Sequence, residues 1–303
     1  MDSNIPPLLC CIGEEASGHP THFMMERAFG ATDVDWRVLT ISVATSQLET
    51  ALAGASVMGF NALRFTGQWC AAVAMLANST PSDRALGTNT DIANDNESVE
   101  LASEPPDAVI SCPRRTSFIG SLTSASLQGN GFSAWHNQGH GLLNILGQSN
   151  VPTEHTQLWL HGDSTLTRSA FAAIEFRKPR MLCWSNAPDE IVAANIQNEE
   201  SELLTSNSDI NLTEVFEPSH PIAVVGEFTD EQQELADTSL VYSSLFLARA
   251  ADIQFNNPAL AAARITSKAE LTVASERYDF ARWTREEVDR DILRDAYDEY
   301  CDF

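Results

Sequence analysis

The chain has 303 residues, 43% of them hydrophobic and 20% charged, with 42 acidic against 18 basic side chains and a formal net charge of −24. That length suits two domains with cores of their own, and the negative field argues against nucleic acid or an anionic membrane surface as a partner. No run reaches the roughly 20 apolar residues of a membrane helix, and MDSNIPPLLCCIG lacks a basic region ahead of an apolar one, so neither a membrane span nor a secretory signal is expected.

Leu8 to Ile12 is a short apolar run closed by Gly13, a buried strand by pattern. Pro20 can open a helix, along which Met24, Met25, Ala28 and Phe29 recur at helical spacing. Arg37 to Val43 alternates as a strand, and Ser46 with Glu49 has the spacing of a capping box for a helix through Ala53. Val57 to Phe60 reads as strand and Asn61 as loop, followed by an Ala-rich helix from Trp69 to Leu76. Alternating strands and helices argue for an α/β domain. Residues 78–107 are polar, acidic and without aromatics, and read as a long surface insertion.

Residues 119–146 carry two short strands around Asn130-Gly131, a strong hairpin signal, and then a glycine-flanked helix start. A second βαβ unit begins at Gln157. Leu158 to Leu160 is a strand, Gly162 to Arg168 a turn, Ser169 to Ile174 a helix, Met181 to Trp184 a strand and Glu190 to Ile196 a helix. A polar stretch over 197–220 precedes a strand at Ile222 to Val225, ending at Gly226, and a helical candidate from Leu240 to Phe255. The tail places Phe280, Trp283, Val288, Ile292, Leu293 and Tyr297 on one broad face, with Thr284 and Glu287 spaced to cap it. The six cysteines (Cys10, Cys11, Cys70, Cys112, Cys183 and Cys301) match no disulfide or zinc spacing. Free thiols in a reducing cytoplasm are the expectation.

The order of these motifs resembles the shikimate and quinate dehydrogenase family from about residue 8 to about residue 255. Leu9 to Phe29 is similar to the family opening V-x-G-x-P-x-x-H-S-x-S-P-x-x-H-N-x-x-F, with Ser17, His19 and Pro20 on its two serines and proline. Asp35 to Leu39 resembles its second strand, and Gly59 to Gly67 falls on G-x-N-V-T-x-P-x-K. The hairpin and helix start fall on I-G-A-x-N-T and D-G-x-L-x-G-x-N-T-D-G-x-G, which places His136 to Gly141 on the last block.

The resemblance implies an α/β protein of two domains: a substrate-binding-type domain over 1–146, a Rossmann-like NAD(P)-binding-type domain over 147–260 and a helical tail over 261–303. The tail either packs back on the first domain or forms a homodimer contact. It also implies NAD(P)-dependent oxidation or reduction of a small hydroxylated ring acid, with a lysine and an aspartate handling the proton. Those two positions carry Gly67 and Gln138. Glycine has no donor side chain, and a carboxamide is no general base near neutral pH, so ordinary shikimate oxidation is expected to be weak or absent. The implied substrate residues are Ser17, His19, Asn61, Arg64, Thr123 and, in a looser register, Arg249. Taken with Gln138, the first five would make a polar pocket whose charge at neutral pH is that of Arg64 alone.

On residue chemistry alone, Ser17 and His19 can equally cap the helix after Pro20, and Asn61 can equally be a turn residue. The family's phosphate turn G-A-G-G-A-x-R-A becomes Gly162 to Ser169, where Gly162, Ser164, Thr165 and Arg168 are the candidate contacts to NADP or NAD. Asp163 adds negative charge there, and the arginine of the family's N-R-T is Asn186. His136 and His140 stand four apart, but glycines flank His140 and no third ligand is near in sequence, so no metal site is expected. Three roles stay open: a divergent oxidoreductase, a small-acid-binding protein without catalysis, and an interaction protein using the scaffold alone.

Overall fold

The computed structural model describes residues 6–79, 110–111, 118–148, 156–174, 179–196, 203–206, 222–226, 245–248 and 264–302. Beyond Ser79, the insertion expected at 78–107 lies outside them, as do Cys112 and Arg249. The chain divides into two compact units, residues 1–136 and 137–303. The boundary falls ten residues before the end of the expected first domain, because the helix after the hairpin packs with the second unit.

The first unit holds a six-stranded sheet in the order β2-β1-β3-β5-β6-β4. Its strands are β1 (Leu8–Gly13), β2 (Arg37–Ser42), β3 (Ala62–Phe65), β4 (Ile110–Ser111), β5 (Ser124–Gln128) and β6 (Gly131–Trp135). β1 pairs in parallel with β2 and β3, and β5 runs antiparallel to both β3 and β6. The apolar run of β1 is continuous because a parallel central strand is covered on both faces. Cys10 and Ile12 join Leu63, Phe65, Trp69 and Val73 in one core cluster. Leu9 and Cys11, which alternate with them, are buried too.

Helix α1 (Thr21–Ala31) buries Met24, Met25, Ala28 and Phe29, the residues whose spacing marked it. Helices α2 (Leu48–Val57) and α3 (Trp69–Ser79) complete this unit among the described residues. Three expectations shift here. The Ser46–Glu49 capping box does not form: a one-turn 3-10 helix occupies Thr45–Gln47, and α2 starts from Gln47 without a side-chain cap. The strand expected at Val57 to Phe60 is instead the end of α2 and a turn at Gly59, where φ is 78°, with Val57 89% exposed. The hairpin closes through Gly129 and Asn130, since Gln128 pairs with Gly131 and the positive φ of 58° falls on Gly129.

The second unit opens with α4 (Gln138–Gln148). Its sheet is parallel throughout, in the order β12-β11-β10-β7-β8-β9. The strands are β7 (Gln157–His161), β8 (Met181–Ser185), β9 (Leu203–Ser206), β10 (Ile222–Gly226), β11 (Leu245–Ala248) and β12 (Arg264–Thr266). Counted from β7, that order is 6-5-4-1-2-3, the doubly wound arrangement of dinucleotide-binding sheets. Helices α5 (Thr165–Ile174), α6 (Asp189–Ile196), α7 (Lys268–Thr284) and α8 (Arg290–Cys301) accompany it. Two expectations shift here. β9 lies inside the polar stretch, and β11 occupies the middle of the helical candidate at 240–255, where a short apolar run cannot be assigned to helix or strand by periodicity alone.

The tail is two helices rather than one. Arg285 ends α7 with φ of 66°, and Asp289, not Thr284, caps α8 by accepting from Asp291 N–H. Ser267 and Glu270 form the capping box of α7. The tail packs within the second unit, where α7 lies on α4 at closest main-chain range. A Cβ on Gly141 would stand 2.7 Å from Ser275 N, and one on Gly139 would stand 2.0 Å from Ser169 O of α5. The kept glycines of this segment are therefore helix-packing residues.

Candidate functional site

In the first unit the parallel strands β1 and β3 present their carboxyl ends at Gly13 and Phe65. Ser17 follows β1 in the 3-10 turn Ala16–Gly18 and is exposed. His19 precedes Pro20, the N-cap of α1, and bonds its first residue: Nδ1 accepts from Thr21 N–H at 3.3 Å and bonds the Thr21 hydroxyl at 2.8 Å. Glu14 sits at the same strand end, and its carboxylate accepts from Thr45 N–H at 3.0 Å and from the Thr45 hydroxyl. These bonds, the hydroxyl's first, hold the Glu14 carboxyl below its ordinary range. It stays ionised near neutral pH, three residues before Ser17, where it disfavours an anionic ligand.

Arg64 and Thr123 are brought together, with the guanidinium turned to main chain. Arg64 is 6% exposed, and its Nη1 donates to Thr123 O at 2.8 Å and to Phe65 O at 3.4 Å. The Thr123 hydroxyl lies 3.5 Å from Trp135 O. A guanidinium donating to carbonyls in the sheet interior acts as a cross-strand tie rather than an open anion receptor. Asn61 does not join this end of the strand. It pairs beside Leu8, accepting from Leu8 N–H through Oδ1 at 3.0 Å. Leu8 stands five residues before Gly13 in β1, about 16 Å along the strand. Asn61 thus stands at the entry of β3, tied to β1.

Gly67, which the sequence resemblance sets against the family's lysine, has φ of 58° in an exposed turn after β3. A side chain there meets nothing within 4 Å, yet the backbone is left-handed, which costs any other L-residue about 1–2 kcal/mol. The turn itself selects glycine.

In the second unit, Gln138 begins α4 half-buried. Its neighbour Asn137 is fully buried and donates through Nδ2 to Asp279 Oδ2 at 2.6 Å. Asp279 and Glu276, one turn apart on α7, both have 0% exposure. Sequence reasoning missed this carboxylate at Asn137, because Asp279 lies 142 residues away and only the α4–α7 packing joins them. His140 stacks on Tyr278 with ring centroids 4.2 Å apart. His136 precedes α4 rather than lying on it, so the two histidines share no helical face. Among the described residues no group of three or more His, Cys, Asp or Glu could hold a metal ion.

The turn after β7 is satisfied by its own side chains. Gly162 takes φ of 76°, donates its N–H to Ser185 O at 3.0 Å, and accepts from Trp184 Nε1 at 3.0 Å. Ser164 and Thr167 cap α5 reciprocally: Ser164 N–H donates to Thr167 Oγ1 at 2.9 Å and Thr167 N–H to Ser164 Oγ at 3.2 Å. Thr165 is exposed. Arg168 grips both oxygens of Asp163 through Nε and Nη2 and reaches Glu190 Oε1 through Nη1 at 3.1 Å. These partners, the Asp163 hydrogen bond first, raise its pKa above the ordinary arginine value.

Two carboxylates and one guanidinium leave this turn with a net charge of −1, the wrong sign for phosphate. The residues therefore do not fit a dinucleotide pyrophosphate as they stand. Beneath the turn, Ser185 Oγ accepts from Trp159 Nε1 at 2.8 Å and bonds His161 Nδ1 at 2.8 Å. This buried cluster was not legible in sequence, although His161 as the last residue of a buried strand was its signal.

No protein-family model and no curated protein matches the chain. Solved structures do match. An Ael1 enzyme from Pseudomonas putida is 15% identical with a TM-score of 0.67, over 95% of this chain and 97% of that one. The 5-ketofructose reductase of a Gluconobacter species is 12% identical with a TM-score of 0.65, over 98% and 99%. The shikimate 5-dehydrogenase of Thermus thermophilus, solved with NADP(H) and shikimate, is 10% identical with a TM-score of 0.62, over 97% and 99%. The likeness thus runs past residue 255, where the sequence resemblance was expected to stop. With its mixed first sheet, its doubly wound second sheet and these neighbours, the chain has the fold of the shikimate dehydrogenases.

Proposed function

We propose that the protein is a divergent member of the shikimate dehydrogenase family of oxidoreductases, and that NAD(P)-dependent turnover of a small hydroxylated acid by the family's lysine–aspartate route is weak or lost in it. The observation that carries this reading is Arg168, the one cation kept at the phosphate turn, held by Asp163 and Glu190. Gly67 supports it, because its left-handed backbone disfavours the missing lysine. The absent proton shuttle alone is worth roughly two to four orders of magnitude in rate.

The test is a thermal-shift titration with NADPH and, in parallel, NADH, together with an assay of NADP-dependent shikimate oxidation. A ligand at a hundredfold its dissociation constant stabilises the native state by about 2.7 kcal/mol. The expected result is no saturable shift at millimolar cofactor and no turnover above background. Saturable stabilisation with measurable oxidation would overturn the proposal.

A further inference from the structure

A groove of about 420 Å³ opens in the first unit between the end of α1 and the start of β2, lined in part by Glu26, Phe29, Asp33, Asp35, Trp36 and Arg37. Arg37 pairs with Asp35 at 3.3 Å and His22 lies 3.2 Å from Glu26, so three carboxylates against one guanidinium leave the lining net negative. It differs from a solvated charge cluster in two ways. Two aromatic rings line it, with the Phe29 and Trp36 centroids 5.8 Å apart and the planes at 31°. The acidic turn is also set by main chain: Asp33 holds φ of 53°, Val34 N–H donates to Phe29 O at 3.1 Å and Trp36 N–H to Val34 O at 2.8 Å.

The groove opens beside β2, which ends the first sheet among the described residues. An edge strand offers N–H and C=O groups to an added strand. At mid-strand Leu39 is 42% exposed. Aromatic faces with carboxylates beside them suit a guanidinium, which stacks on a ring while donating to an acid.

We propose that this groove docks an extended, arginine-containing segment of a basic partner protein. The arginine sits against Trp36 between the Glu26 and Asp33 carboxylates, and the segment's backbone pairs along β2. Charge selects this occupant. Residues 80–107 of the chain itself carry seven carboxylates against one arginine, and a second copy brings a net charge of −24, so both are repelled from an acidic groove.

The experiment measures binding of a short N-acetylated peptide alternating arginine with threonine to the full chain, by calorimetry at physiological ionic strength. The variants are Trp36→Leu, the pair Glu26→Gln with Asp33→Asn, and a control pair Glu286→Gln with Asp302→Asn that removes equal charge in the second unit. Asparagine tolerates the backbone of Asp33, so the fold is kept. The expected result is saturable binding, weakened about tenfold by Trp36→Leu and by the groove pair, and by less than about twofold in the control pair. Equal losses in the two pairs would mean bulk attraction to an acidic protein and would overturn the proposal, as would the absence of saturable binding. Free arginine amide binding as tightly as the peptide would overturn the strand-pairing part, leaving a site for a small organic cation.

Discussion

Replacing Gly139 by alanine tests the claim that the retained glycines are packing residues rather than traces of chemistry. In isolation the change favours folding, since alanine is better than glycine in a helix by up to about 1 kcal/mol. The structure reverses the sign. The added Cβ would sit 2.0 Å from Ser169 O, 2.4 Å from Ser169 C and 2.9 Å from Ala170 N, all main-chain atoms of α5. Restoring an ordinary contact of about 3.4 Å needs a separation of about 1.4 Å, and the Gly139 N–H bond to Ser169 Oγ, now 2.8 Å, must stretch with it. Overpacking of this kind costs about 1–3 kcal/mol and more where main chain must move.

Net destabilisation of at least about 2 kcal/mol is expected, which lowers Tm by about 4–8 °C for a unit of this size. Gly54 in α2 is the internal control: its Cβ would meet only Met58 Cε, at 3.9 Å. Gly54→Ala should therefore raise stability by up to about 1 kcal/mol. Urea unfolding followed by circular dichroism reads both changes. If Gly139→Ala is neutral or stabilising, like Gly54→Ala, the backbone contact between α4 and α5 is not there and the reasoning fails.

Asn137→Ala removes the amide that donates to the buried Asp279 carboxylate and is expected to cost about 3 kcal/mol, read as a lowered urea midpoint; an unchanged midpoint would mean that Asp279 has an equivalent partner. Ser267→Ala deletes the capping box of α7 and should cost about 1 kcal/mol by the same measurement, with Ser267→Gly costing only a few tenths. Burial pushes the thiols of Cys10 and Cys183 up to about 12, whereas Cys301 is exposed. Among the described cysteines Cys301 should be alkylated first by iodoacetamide, as peptide mapping would show. Because both folded pKa values lie above the unfolded value, stability is full below about pH 9 and falls as pH climbs toward 12, by roughly 1.4 kcal/mol per pH unit for each thiol. A flat stability profile through that window would contradict the burial of both.

The sequence by itself determined the alternation of strands and helices, the apolar runs of β1, β7, β8 and β10, the helical face of Met24, Met25, Ala28 and Phe29, and the hairpin before α4. These follow from local periodicity and turn chemistry, which are written in neighbouring residues. It also determined that Gly67 and Gln138 supply no general acid or base in any fold. Tertiary structure decided the rest. The apolar run at Leu245–Ala248 became a strand because it pairs in parallel with both β10 and β12. Asn61 went to the entry of β3 because strand register, not motif order, sets which end a residue occupies. Asp279 reached Asn137, and Asp163 with Glu190 captured Arg168, through packing and charge between residues far apart or with no motif to mark them. Local patterns specify elements; only the assembled chain decides which donors and charges remain available to a ligand.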